Sequence, residues 1–265
     1  QNKEIYLSSE VGFSSLTMHL EEIKLWCNEI RLRGLTGGGR ELLKTYVSLD
    51  TYLVPKRSHM HPNEKKNKVS LIQAINDSVG HCIILGNPGA GKTTSMKKLC
   101  LSLLDNCFKV EESRIPVRIL LRNLKKESSD NPITDFLAKI IPVDSTREEA
   151  LNIGANSVTK TAFLTLIDKM NLFLVLDGFD EISDEKLKLN VLNEIRFYCS
   201  NLQFSKVAVT CRTGEFSYDI NRTSMFEIAP LDDEQIKQFA FKMLDSKAED
   251  FITAVMESPY RDTTV

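Results

Sequence analysis

The chain has 265 residues, 42% hydrophobic and 26% charged, with 34 Lys+Arg against 36 Asp+Glu and a formal net charge of −2. That length supports one large domain, or one domain and part of another, with an ample core. The near-neutral balance excludes a disordered acidic tail, a histone-like basic protein and a chain-wide electrostatic footprint for nucleic acid, and no apolar run approaches the roughly 20 residues that span a bilayer.

In chain order, Leu16, Leu20, Ile23, Cys27 and Ile30 recur at steps of four and three, which predicts an amphipathic helix ahead of Gly34 and Gly37-Gly38-Gly39. Residues 59–68 are polar and contain proline, so they read as an exposed loop. The His59-x-His61 pair in it has no second ligand cluster, which argues against a metal site. Leu71, Ile72, Ile75 and Val79 predict a helix running into the first of five short apolar runs, at 81–85, 117–121, 172–176, 206–210 and 225–228. Each run is apolar on consecutive positions, as strands buried on both faces are. The stretches between them are long enough for helical crossovers, so a parallel α/β sheet is expected. Residues 125–132 read as another exposed loop. Asp184 is placed to cap a helix with inner face Leu187, Val191, Ile195 and Leu202. Asp232 and Gln235 form a capping box ahead of the stripe Ile236, Phe239, Ala240, Met243 and Leu244. The six cysteines have irregular spacing and no C-x-x-C pair, so they read as reduced, buried small hydrophobes.

Chemistry enters at Gly86-Asn87-Pro88-Gly89-Ala90-Gly91-Lys92-Thr93, which fits G-x-x-x-x-G-K-[ST]. The strand 81–85 before it and the helix-forming stretch from Thr94 after it are the context a phosphate-binding loop requires. Gly86, Gly89 and Gly91 let the backbone wrap close to a phosphate chain so that successive N–H groups form an anion nest. The helix N-terminus, with Thr94 in its first turn, adds its positive dipole end. Lys92 is placed to reach the β- and γ-phosphates, and the Thr93 hydroxyl to meet Mg²⁺. The run 172–176 then ends in Asp177-Gly178-Phe179-Asp180-Glu181. An acid at the C-terminal tip of a parallel strand lies where open α/β sheets bind ligand. Asp177 is therefore the expected Mg²⁺ partner, through water. Asp180 and Glu181 follow where a water beside the γ-phosphate could be oriented or deprotonated; helix capping is their competing role. Arg212 stands just past the strand 206–210. If that strand lies between the two motif strands, Arg212 faces the γ-phosphate; otherwise it is a surface residue. No [NT]-K-x-D tetrapeptide follows the loop, so adenine is favoured over guanine.

Together, Gly86–Thr93, Asp177–Glu181 and Thr210-Cys211-Arg212 resemble the NACHT branch of the signal-transduction ATPases with numerous domains (STAND). Gly178 after the first aspartate, with paired acids two positions later, carries the likeness; Tyr46-Val47-Ser48-Leu49 and the stretch from Ala229 to Ile236 add to it. In style the chain is most similar to bacterial NACHT proteins of antiphage defence, relatives of animal NOD-like receptors. The resemblance implies a P-loop fold of the ASCE type with a five-stranded parallel sheet of order 5-1-4-3-2. It also implies Mg²⁺ and bound ADP exchanged for ATP, slow hydrolysis, and homo-oligomerisation in the cytoplasm when a trigger, such as a phage component, is met. It places Thr93 and Asp177 on the metal, Asp180 and Glu181 in hydrolysis and Arg212 as phosphate sensor, and loosely assigns Gly34–Glu41, with Arg40, to the base pocket. The expected division is a helix and linker at 1–38, a nucleotide-binding domain at 39–230 and the start of a small helical domain at 231–265. Because the chain opens on Gln1 and stops at Val265, a fragment is expected, lacking an N-terminal effector, the winged-helix segment and a C-terminal sensor. A continuously cycling AAA+-like motor or loader is the alternative, and would carry a trans-acting arginine finger and pore-loop aromatics, neither identifiable here. A metabolic P-loop kinase, which would carry lid arginines and a small-substrate pocket, is opposed by the acidic cluster at 177–181.

Overall fold

A computed structural model describes residues 10–30, 40–54, 68–107, 113–124, 130–141 and 157–258. In chain order the elements are α1 (Glu10–Asn28), β1 (Glu29–Ile30), β2 (Arg40–Glu41), α2 (Leu42–Thr45), β3 (Asp50–Val54), β4 (Val69–Ser70), α3 (Leu71–Asp77), β5 (His81–Leu85) and α4 (Lys92–Leu104). There follow β6 (Ile115–Leu120), α5 (Pro132–Ile140), α6 (Ser157–Lys169), β7 (Leu172–Asp177), α7 (Glu185–Asn201), β8 (Lys206–Cys211), β9 (Thr223–Ile228), α8 (Asp233–Leu244) and α9 (Ala248–Met256). Among the described residues no helix is long and apolar enough to cross a membrane.

All five apolar runs are strands, and they pair in parallel in the order β9-β5-β8-β7-β6. Numbered by their own succession, that is the expected 5-1-4-3-2. Every residue of β5, β7 and β8 is buried, so both faces of the central sheet are covered. Among the described residues the expected five-stranded sheet has seven strands: β3 adds antiparallel to β9, and β4 antiparallel to β3. Asp50–Val54 escapes a search for apolar runs because it is an outer strand with mixed exposure. It is held by main-chain pairing and by Thr51, whose hydroxyl donates to the Glu227 carbonyl at 2.7 Å. Pro116 lies inside β6, tolerated because β6 closes the sheet on the other side and needs only one ladder of hydrogen bonds. Leu121 is no longer strand but opens a 3-10 turn.

The helices bury the faces read from their periodicity. Leu16, Leu20, Ile23 and Cys27 of α1 enter the same core as the sheet, as do Leu187, Val191 and Ile195 of α7. Ile30, Gly34, Gly37–Gly39, Arg40 and the His59-x-His61 pair lie outside the residues whose side chains are described. Val79 is fully exposed, not part of the α3 stripe. The helix stops at Asp77 because the buried Lys206 ammonium takes the Ile75 and Ser78 carbonyls, the latter at 2.7 Å. All six cysteines are buried, and none is joined in a disulfide among the described residues.

The caps form as read. Asp184 accepts from the Leu187 N–H at 2.8 Å. Asp232 accepts from the Gln235 N–H at 2.9 Å, and Gln235 Oε1 accepts from the Asp232 N–H at 3.0 Å. The Gln235 amide also donates to the Ser48 carbonyl and to Asp50, tying α8 to the start of β3. Asp184→Ala is expected to cost about 1 kcal/mol, the ordinary worth of an N-cap, seen as a fall of about 2–4 °C in the melting temperature; an unchanged melt would mean that water replaces the cap without loss.

Candidate functional site

The site is built at the C-terminal ends of β5, β8 and β7. Beyond Leu85 the chain turns through 86–91 and enters α4 at Lys92. Two glycines there are conformational necessities: Gly89 has φ +83° and Gly91 φ +87°, the left-handed region that side chains rarely adopt. Gly91 is also short of space, since a Cβ would stand 2.6 Å from Leu49 Cδ1. A Cβ on Gly89 would meet nothing within 4 Å, so that face of the loop is open to a ligand. The Ala90 N–H closes the turn on the Asn87 carbonyl at 3.1 Å, and the Ser95 N–H bonds the Gly91 carbonyl at 2.9 Å as the first helical turn. Asn87 and Pro88 are exposed on the rim, Thr93 is exposed at the helix start and Thr94 is half-buried behind it. Lys92 folds back over the loop, its ammonium donating to the Gly86 carbonyl at 2.5 Å and the Asn87 carbonyl at 3.1 Å. Burial pulls its pKa below the usual lysine value, with the Asp180 charge acting in the other direction.

Opposite the loop, Asp177 ends β7 with its side chain nearly buried. Its Oδ1 accepts from the Thr210 hydroxyl at 2.8 Å and from the Thr93 hydroxyl at 3.4 Å. Thr210 in turn accepts from the Gly178 N–H at 2.9 Å, fixing the carboxylate and the turn after it together. Oδ2 pairs with Arg118 Nη2 at 3.2 Å. Gly178, at φ +82°, throws the chain into a short 3-10 turn that carries Phe179, Asp180 and Glu181. Phe179 is buried against Phe216 and Tyr218, with ring centroids 5.4 and 6.0 Å away, which anchors the turn from below.

The strand carrying Thr210 does lie between the two motif strands, the condition set for Arg212. Arg212 is half exposed and closed on Asp180: its backbone N–H meets Oδ1 at 3.0 Å and its Nε meets Oδ2 at 2.9 Å. Glu181 points to Arg122 at 2.9 Å instead. The fold thus gathers Lys92, Thr93, Asp177, Asp180 and Arg212 around one edge, with Glu181 facing outward to Arg122. Two contributors went unread, and Thr210 was read only as part of Thr210-Cys211-Arg212, with no role of its own. Arg122 carries no local signal of its role, but Arg118 does, since an arginine interrupts an otherwise apolar buried strand. Hydroxyl and carboxylate oxygens side by side at Thr93 and Asp177 are hard donors of the kind Mg²⁺ takes, and the open, N–H-rich loop beside them suits a phosphate chain.

The model of the NACHT domain matches residues 81–247. Among solved structures, the chain is similar to a STAND protein with a tetratricopeptide repeat sensor from Pyrococcus horikoshii, at 15% identity and a TM-score of 0.45 over 80% of this chain and 29% of that one. It is also similar to the Orc1 protein of Aeropyrum pernix in complex with DNA (12% identity, TM-score 0.43, 68% of this chain and 47% of that one). Cdc6p from Pyrobaculum aerophilum is a third (16%, 0.39, 68% and 48%). The chain therefore spans less than half the length of each. No curated protein matches it.

Proposed function

The chain belongs to the NACHT family of P-loop NTPases, and on that premise we propose that it is an ATP-binding switch, exchanging ADP for ATP and hydrolysing slowly. The observation that carries this reading is the junction at Asp177, where the P-loop Thr93 and the mid-sheet Thr210 meet one carboxylate beside the glycine loop. In this reading the loop N–H groups and Lys92 bind the phosphates, while Thr93 and Asp177 hold Mg²⁺, which neutralises phosphate charge when bound. Asp180, once released by Arg212, and Glu181, once released by Arg122, orient or deprotonate the attacking water. Arg212 reports the terminal phosphate: its guanidinium serves either Asp180, as here, or a γ-phosphate, and moving to the second frees the Asp180 carboxylate for water. A switch of this kind needs the γ-phosphate to favour one conformation by several kcal/mol, and Arg212 is where such a preference arises. Adenine follows from the missing guanine tetrapeptide.

Control of oligomerisation and of an effector, in a cytoplasmic innate-immune protein of the bacterial antiphage kind, extends the proposal and is supported by the likeness of the motifs alone. The test is to denature the purified protein and identify the released nucleotide by chromatography. Near-stoichiometric ADP is expected. An empty site with brisk ATP turnover would favour a cycling AAA+-like ATPase instead, and GDP would overturn the adenine assignment. Asp180→Ala with Glu181→Ala is expected to keep ATP but hydrolyse it about a hundredfold more slowly; undiminished hydrolysis would remove the roles given to those acids.

A further inference from the structure

Arg118 takes part in no motif, yet it lies at the hub of the candidate metal edge. In the parallel register Arg118 stands opposite Val175, so Asp177, two residues further along β7, is its diagonal neighbour on the same face. The side chains are 18% and 7% exposed and 3.2 Å apart, with the guanidinium on Oδ2 while Oδ1 faces Thr93. The guanidinium therefore fixes how the carboxylate is turned. It also sets a positive charge against the very group expected to hold a cation.

What holds Arg118 is the N-terminal helix. The Trp26 ring of α1 lies under the guanidinium, 3.9 Å from its central carbon. Two turns earlier on the same face, His19 Nε2 accepts the Arg118 backbone N–H at 3.3 Å, covering the open edge of β6. Burial first, and the charge of Arg118 second, hold His19 at a pKa of about 4, so its ring is neutral near pH 7 and free to accept. Lys97, from the helix that follows the P-loop, lies over the same indole at 5.3 Å. Helix α1 thus grips Arg118 by its main chain and its side chain, and touches the P-loop helix through the same tryptophan.

We propose that Arg118 is the positioning residue of Asp177 and that Trp26 and His19 clamp it, so that helix α1 is coupled to the metal-binding edge of the nucleotide site. This rests on the nucleotide-switch reading. The sign follows from the charges: a clamped Arg118 weakens Mg²⁺ binding at Asp177, and a displacement of α1 that frees Arg118 strengthens it. By linkage, Mg²⁺ bound with nucleotide loosens the hold on α1 to the same extent.

The chain's single tryptophan is Trp26, so its emission reports the clamp directly. The experiment adds ATP in excess EDTA and then titrates MgCl₂, following both Trp26 emission and radiolabelled ATP retention by equilibrium dialysis. The expected result is a saturable emission change on adding Mg²⁺, with the same midpoint as the Mg²⁺-dependent gain in retention. In Arg118→Met that midpoint falls by roughly three- to tenfold, the effect of removing one screened cation near a divalent ion. Trp26→Leu, followed by dialysis, moves it the same way by less; it also serves should Arg118→Met fail to fold. A merely structural Arg118 would lower the melting temperature and leave the Mg²⁺ midpoint where it was. ATP retention with silent Trp26 emission, or an unmoved or raised midpoint in folded variants, overturns this inference alone. No ATP retention by the unaltered chain overturns the nucleotide reading and this inference with it.

Discussion

Lys92→Ala is expected to weaken ATP binding by about a thousandfold while leaving the chain folded. Among the described residues the ammonium donates to carbonyls of its own loop, Gly86 and Asn87. Asn87 is exposed, so water replaces that bond after truncation and the stability lost is about 1 kcal/mol. With a phosphate chain in the loop, the same ammonium exchanges those neutral acceptors for charged ones. Two charge-assisted hydrogen bonds contribute about 4 kcal/mol together, which is about three decades in affinity. Equilibrium dialysis with labelled ATP, beside a thermal melt of the same preparation, separates the two quantities. An affinity within tenfold of the unaltered chain would mean that the loop's backbone N–H groups hold the phosphates unaided, and that Lys92 serves the turn rather than the ligand.

The parts of this site that were legible in sequence are those in which local geometry and chemistry coincide. A glycine loop has fixed spacing because its left-handed residues, Gly89 and Gly91, and its lysine must fall at set points of one turn. The central strands announce themselves because burial on both faces forces consecutive apolar residues, and Asp177 stands out as the first charge after such a run. Side-chain convergence is different in kind. Thr210 and Arg118 reach Asp177 only because β8 and β6 flank β7, and no short-range pattern states which strands become neighbours. The outer strands β3 and β4 were missed for the opposite reason: an edge held by main-chain pairing puts little demand on its side chains. Val79 shows the limit of periodicity itself, since a helical spacing continues in the sequence past the point where Lys206 ends the helix. Arg212 was readable in place but not in partner, because the turn after Gly178 is what swings Asp180 beneath it.

Asp177→Asn is expected to destabilise the chain by about 3 kcal/mol, although asparagine has the same shape and keeps an oxygen for the Thr210 hydroxyl. The loss lies on the other side of the group. Oδ2 is the counter-charge of a mostly buried guanidinium, and an amide there presents either a donor to a donor or a neutral oxygen to a cation. Removing one partner of a buried ion pair strands the other, at a cost of about 3–5 kcal/mol, and the retained hydrogen bond places Asp177→Asn near the lower end. Arg118→Met should cost less, because the remaining carboxylate still accepts from two hydroxyls near the rim of the site. The double variant, with neither charge, should then be more stable than Asp177→Asn alone, giving a coupling of about 1–3 kcal/mol in a double-mutant cycle measured by denaturant unfolding. Additive losses would show that the two groups do not interact in the folded chain, whatever their separation. The same logic governs how any loss of activity on changing Asp177 is to be read: in this chain the substitution removes the carboxylate proposed to hold Mg²⁺ and unsettles a buried cation at once. Only the comparison made in the Arg118→Met background isolates the part that belongs to the metal.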